Sequence, residues 1–429
     1  MDERDCDDLA AEPPSPVTTT ETDPLAGLEQ AIREQWRLGQ NIVLCWTPVD
    51  DGIQILAAPH YFLSQFSAAL SDSTPTDRLA ILNGRFIRRL IAGERRMSVS
   101  DLSSTARRLG LTPVLLACDV TAGSGDELLA AAEELITRYG INFVESRAVL
   151  LFDIVDFSLF TPFEQISQLS SLSYSLNAAY SKLLKKDIAV EFARTTTGDG
   201  FYVWNHSVGP RGNMELFQFM LLVIADNAIA QRKAAGRTVP RLRTAFHIGS
   251  HFEFFQVDGL NPTLHSYIVG DVTIELARMV EIATPGQIFV GDFTTLAPTS
   301  AREEALLIEV DSQHFVQRAN KYLQQLRGLE LSGERVESLF CQLTGETGAS
   351  AGQSVRRFRI IDKHGRSRHA YNLRINIRTD GGRIPLILGI QEYYLPRPER
   401  PRGRIRWSSE FDSGGVGGSR QRPRLLSDK

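Results

Sequence analysis

The chain has 429 residues, with 42% hydrophobic, 23% charged and 8% aromatic residues, an ordinary globular composition with length for two or three domains. A formal net charge of -4 excludes a whole-protein field for nucleic acid or an anionic membrane, and neither is expected as a partner. The four cysteines, Cys6, Cys45, Cys118 and Cys341, form no C-x-x-C pair, no zinc framework and no evident disulfide set, so a reducing, cytoplasmic setting is expected.

Residues 1 to about 24 are rich in Pro, Thr, Asp and Glu. They read as a disordered acidic tail without the apolar core of a signal peptide. Residues 25–145 read as an N-terminal α/β region of unknown role. "PLAGLEQAIREQWRLG" has helical spacing, "NIVLCW" and "IQILAA" read as strands, and "GDELLAAAEELITRYG" is a helix ending at Gly140. No catalytic constellation emerges there. His60 stands alone, and "TAGSGDE" lacks the Lys-Ser/Thr of a P-loop.

From 146 to 344 strands and helices alternate. "RAVLLFDIV" is a strand that ends an apolar run with Asp153 and Asp156, and carboxylates at such a place are costly unless something uses them. A helix follows. Thr161 to Glu164 form a capping box with Pro162 in the first turn, and Ile166, Leu169, Leu172, Leu176, Tyr180 and Leu183 mark its buried face. "IAVEFARTTTGDGFYVWN" is two strands around a tight turn at Gly198-Asp199. "MELFQFMLLVIADNAIAQRKAAG" is a largely buried helix whose apolar run "FMLLVIA" is too short for a membrane span. "RLRTAFHIG" is a strand, "GDVTIELARMVEIATPG" a helix and "QIFVGD" a strand. This order suits an α+β fold of the ferredoxin-like βαββαβ kind. Residues 352–397 read as a small β-rich module of hairpins, and 398–429 as a disordered basic tail.

The motifs "LLFDIVDFS", "TTTGDGFYVW", "RTAFHIGSH" and "YIVGDVTIELARMVEIATPGQIFVGD" resemble, in order and spacing, the catalytic domain of class III nucleotidyl cyclases, and "LSGERVESLFCQL" resembles that domain's last hairpin. The resemblance implies attack of a ribose 3′-hydroxyl on the α-phosphorus of a nucleoside triphosphate, with pyrophosphate leaving. Two divalent ions, Mn2+ or Mg2+, would neutralise the charge that develops. It also implies metal ligation by Asp153, Asp199 and the carbonyl of Ile154. The main-chain amides of Ile154, Val155, Asp156, Phe157 and Ser158 would cradle the triphosphate, with the Asp156 side chain, where the family usually has Gly, aimed into solvent.

The base-reading positions of the family fall on Thr195 and Tyr267, and its transition-state Asn falls on Ile274. The partner Arg is kept as Arg278, one turn along the same helical face; as a plain surface residue it would pair with Glu275 instead. The phosphate-binding Lys of the family has no clear equivalent, and Leu331 sits about there. Thr195 and Tyr267 each donate and accept, and a smaller, neutral pocket suits a one-ring base. That pattern resembles the pyrimidine cyclases of bacterial antiphage defence, which make cyclic UMP or cyclic CMP. A core role for Tyr267 with an unselective or dead pocket stands beside this reading, as do an adenylate cyclase and a catalytically silent dimerising or nucleotide-sensing module. Because both halves of the family's composite site occur in this one chain, a homodimer with two equivalent interfacial sites is implied.

Overall fold

The computed structural model describes residues 24–35, 41–67, 78–188, 190–257, 264–300, 305–331, 333–344, 355–362, 365–380, 385–390 and 407–411. The acidic N-terminal tail and most of the basic C-terminal tail lie outside them. The chain divides into two compact units, residues 1–140 and 141–429.

The first unit contains α1 (Ala26–Gln35), β1 (Asn41–Val49), β2 (Gly52–Pro59), α2 (Phe62–Ser67), α3 (Arg78–Leu90), α4 (Val99–Leu109), β3 (Val114–Leu116) and α5 (Asp126–Arg138). The strands form a three-stranded antiparallel sheet in the order β1-β2-β3. Alternating apolar residues of β1 and β2 (Val43, Ile53, Ile55) meet Leu28 and Ile32 of α1 and Leu129, Leu135 and Ile136 of α5 in one core. The buried guanidinium of Arg95 donates to the Val43 carbonyl. Among the described residues no group of three or more His, Cys, Asp or Glu gathers to hold a metal.

The second unit runs β4 (Ile141–Ile154), α6 (Pro162–Leu184), β5 (Phe192–Thr196), β6 (Gly200–Asn205), α7 (Pro210–Lys233), β7 (Leu242–Val257), β8 (Leu264–Val269), α8 (Asp271–Ile282), β9 (Ile288–Gly291), β10 (Thr294–Pro298), β11 (Leu307–Asp311), α9 (Ser312–Leu323), β12 (Glu330–Leu331), β13 (Glu334–Leu343), β14 (Arg356–Ile361), β15 (Ser367–Thr379), β16 (Leu386–Leu388) and β17 (Trp407–Phe411). Its main sheet follows the order β12-β13-β15-β9-β7-β4-β6-β5. Both faces are covered, as an apolar two-faced strand such as Ala148–Ile154 requires. Ala148, Leu150, Phe152 and Ile154 face α6, α7 and α9. Val149 and Leu151 face α8 through Leu276, Met279 and Val280.

Helix α7 is the one described helix long and apolar enough to cross a membrane, but 83% of its most apolar window is buried within the fold. Helix α6 carries the expected capping box, Thr161 with Glu164. Its buried face starts later than the spacing suggests. Leu172, Leu176 and Leu183 are in the core, while Ile166 is 59% exposed.

Two boundaries differ from expectation. Strand β4 begins at Ile141, where the second unit also starts, not at 146. The 352–397 stretch is not a module of its own. β15 inserts between β13 and β9, pairing Leu373 with Leu343 and Ala370 with Gly291, and Phe358, Ile360 and Ala370 join the core beneath α8. β17, inside the stretch read as a disordered tail, pairs with β14.

Candidate active site

The site is built where β4, β6 and β7 end together. Asp153 closes the apolar run of β4 and lies opposite Gly200 of β6 on one side and Arg243 of β7 on the other. Asp199 immediately precedes β6, and its carbonyl accepts from the Ile154 N–H at 2.8 Å. The turn requires its glycines. Gly198 sits at φ +99°, and a Cβ on Gly200 would fall 1.9 Å from the Phe152 carbonyl oxygen. Glycine therefore lets β6 approach β4 closely enough to set Asp199 beside Asp153.

The carboxyl of Asp153 is 9% exposed as a residue. Burial pushes its pKa above the ordinary value, Arg243 opposes this, and the negative charge of Asp199 adds to the rise. Arg243 Nε donates to Asp153 Oδ2 at 2.7 Å, and Nη2 completes the ion pair 2.5 Å from the same oxygen. No hydrogen bond reaches Asp153 Oδ1 from the described residues. Asp199 accepts from the Thr197 hydroxyl at 3.3 Å. Arg243 was not singled out by sequence reasoning; the only signal was a second Arg, alternating with Arg241, at the start of a strand otherwise apolar.

The donor set fits a hard divalent ion. Asp153 and Asp199 stand at adjacent strand ends, close enough for the charge of one to raise the pKa of the other, and Asp153 Oδ1 is uncommitted among the described residues. Magnesium and manganese are held by one or two protein carboxylates plus main-chain oxygen and water. The absence of a third acidic or imidazole ligand among the described residues is compatible with that chemistry.

The turn after β4 offers fewer amides than expected. Of the five, Ile154 N–H is bonded to Asp199 and Val155 N–H to the Arg241 carbonyl at 2.9 Å. The amides of Asp156, Phe157 and Ser158 have no acceptor among the described residues. Asp156 is left-handed at φ +59°, the backbone turn that points successive N–H groups at one place. Its side chain, 52% exposed, pairs with Arg241 at 3.2 Å.

The remaining positions lie on other elements. Thr195 is on β5 opposite Tyr202. Tyr267 is on β8, half-buried, stacked on Phe254 with ring centroids 5.6 Å apart and 20° between planes. Arg278 on α8 does not pair with Glu275: it donates to Glu281 at 2.6 Å, and Glu275 is taken by Arg368 of β15. Ile274 is 43% exposed, whereas Leu331 is in the core. The fold thus brings Asp153, Asp199, Arg243 and the 156–158 amides to one sheet end, with Arg278, Thr195 and Tyr267 on separate elements.

No family model matches the sequence, and no curated protein is similar enough in sequence to count as a relative. Among solved structures, the chain resembles the guanylate cyclase domain of RhGC from Catenaria anguillulae, in complex with GTP: 14% identity, 56% of this chain and 98% of that one, TM-score 0.31. It also resembles the adenylyl cyclase CyaB from P. aeruginosa: 10% identity, 54% of this chain and 95% of that one, TM-score 0.32. Likeness at these values leaves the reading of the site to rest on its own residues.

Proposed function

We propose that the second unit, with its motifs between residues 146 and 344 and its sheet completed by β15, is a nucleotidyl cyclase domain that converts a nucleoside triphosphate to a 3′,5′-cyclic nucleotide and pyrophosphate. The observation that carries this reading is the convergence of Asp153 and Asp199 at adjacent strand ends beside Arg243. The strand order β7-β4-β6-β5, joined by α6 and α7, supports a ferredoxin-like βαββαβ reading and with it the resemblance of the motifs.

Asp153, Asp199 and the Ile154 carbonyl would hold Mn2+ or Mg2+, two ions per site, which would supply Lewis-acid stabilisation of the charge on the phosphoryl oxygens and the leaving group. The free amides of Asp156, Phe157 and Ser158 bind and orient the polyphosphate, while Arg243 stays on Asp153 and fixes its carboxylate. Burial and the neighbouring charge of Asp199 raise the pKa of Asp153 against the pull of Arg243, so negative charge is concentrated where a cation would be received. Arg278 stabilises negative charge as the 3′-oxygen attacks and pyrophosphate departs.

Thr195 and Tyr267 read the base. Two neutral donor–acceptor groups, one of them a phenol already stacked on Phe254, favour a pyrimidine over a purine. Cyclic UMP or cyclic CMP is then the product and antiviral signalling its setting. The working assembly is a homodimer. Phe163, Ile166 and Tyr174 of α6 are exposed, as is Leu159 just before it, and three- and eight-residue spacing puts the helical three on one side, a surface that a second copy would cover.

A second reading has its own support. With Leu331 in the core where a phosphate-binding Lys would stand, and Ile274 exposed where an Asn would position the ribose, the domain would bind metal and triphosphate without turning over. Incubating the purified chain with each of the four NTPs and manganese, then identifying products by mass, separates the two. A cyclic product that vanishes in Asp199→Ala, with the fold retained, supports the enzyme. Binding without product supports the silent module.

A further inference from the structure

A cleft of about 430 Å3 opens between the turn after β4 and the connection from α7 to β7, lined by Val155, Asp156, Phe160, Gln168, Arg237 and Arg241 among others. That volume is in the range of small-molecule sites. Its walls are fixed from behind. Gln168 Nε2 donates to the Arg237 carbonyl at 3.0 Å, and Gln231 Nε2 and Asn227 Nδ2 both donate to the Pro240 carbonyl at 2.9 Å. The backbone that carries the two arginines is therefore held while their guanidiniums stay in solvent. Gln168 is 2% exposed, and its Oε1 has no hydrogen-bond partner, a buried polar atom that ordinarily finds one.

The charges of the cleft are available. Arg237 lies over the Phe160 ring, 5.9 Å from its centre. Among the described residues the Arg241 side chain is held by Asp156 alone, at 3.2 Å, with side chains 62% and 52% exposed, and exposed pairs of this kind are weak. Glu164, the other nearby carboxylate, is engaged by the Thr161 N–H and hydroxyl at the cap of α6. A phosphate group carries more charge and more acceptor oxygens than the one carboxylate it would displace, and guanidinium forks match it bidentately.

We propose that this cleft is a second anion site, for a phosphate-bearing ligand, distinct from the Asp153–Asp199 pair. Arg241 and Arg237 take the phosphate, and Phe160, Val155 and Val239 form an apolar floor for any ring attached to it. The site is coupled to the candidate catalytic turn through Arg241, whose carbonyl holds the Val155 N–H and whose side chain holds Asp156. A phosphate that draws Arg241 away from Asp156 loosens the turn bearing the 156–158 amides. The proposal stands on the cleft and its guanidiniums and does not require turnover.

The test is calorimetric titration of the full chain in metal-free buffer with inorganic phosphate, pyrophosphate and a nucleoside monophosphate. The double variant Arg237→Gln/Arg241→Gln and the control Arg243→Gln are titrated alongside, with thermal melts confirming that each is folded. The expected result is saturable binding that weakens by about tenfold or more in the double variant, the scale of a lost charge-assisted hydrogen bond, and persists in Arg243→Gln. Tighter binding of the monophosphate than of inorganic phosphate assigns a nucleotide; equal binding assigns the phosphate group alone. No binding, binding unchanged in the double variant, or binding abolished in Arg243→Gln overturns the proposal, the last placing the anion at the carboxylate pair.

Discussion

Replacing Arg368 by alanine tests whether the C-terminal hairpin is part of the catalytic fold. Arg368 has a side chain 10% exposed and reaches Glu275 on α8, 22% exposed, and Asp362, 3% exposed, at 3.8 Å. Deleting it takes from the partly covered Glu275 its counter-charge and from the buried Asp362 one of its cationic neighbours. Removing one partner of a buried pair costs about 3–5 kcal/mol, and the remaining access of Glu275 to water puts this case near the lower end. With a urea slope of about 3 kcal/mol/M, the midpoint falls by about 1 M. Arg368→Lys should recover part of the loss. Urea denaturation followed by fluorescence of Trp204, which is buried against the same cluster as α8, is the assay. Because β15 is built into the main sheet, the whole transition moves. A separate C-terminal transition that shifts alone, with the Trp204 signal unmoved, would refute the reasoning.

Three further outcomes follow from particular residues. Gly200→Ala drives a Cβ into the Phe152 carbonyl, parting β6 from β4; a loss of about 1–3 kcal/mol and of manganese affinity is expected in melts and metal titration. Among the described residues Arg278→Ala breaks a single pair, with half-exposed Glu281, so stability changes by about 1 kcal/mol or less, while product formation falls about 10²–10³-fold; an unchanged rate would remove Arg278 from the chemistry. His247 and His251 are buried, His247 Nδ1 finds no partner among the described residues, and burial lowers both to about 4. Between pH 6.5 and 4 the unfolded chain therefore binds more protons than the folded one. Their contribution is full above pH 6.5 and is lost as pH falls through that window, up to about 3 kcal/mol per ring. Melts of His247→Gln from pH 7 to 4 should show a shallower decline than the parent.

Much of the local structure was legible because it is written in short-range patterns. The capping box at Thr161, the glycine turn before β6 and the apolar run ending at Asp153 each depend on neighbours within a few residues. The placement of β15 was not legible. Alternation announces a strand but not its partners, and those of β15 lie up to about 80 residues away in β9. The pairing of Arg243 with Asp153 has the same cause, since the two are 90 residues apart and only the register of β4 with β7 brings them opposite. Ile166 shows the limit of helical spacing. The period marks a stripe, but the first turns of α6, with Phe163 and Ile166 exposed, run beyond the sheet's cover, and burial starts at Gln168. The base-reading positions are the least legible part, because Thr195 and Tyr267 belong to separate strands and no local pattern says what they face.

The most direct test of the account is electron paramagnetic resonance of manganese bound with a non-cyclisable triphosphate. Two Mn2+ ions held between Asp153 and Asp199 about 4 Å apart should give an exchange-coupled signal that collapses to free aquo-manganese in Asp199→Asn. A single uncoupled ion whose spectrum and affinity are the same in the parent, in Asp153→Asn and in Asp199→Asn would contradict the account.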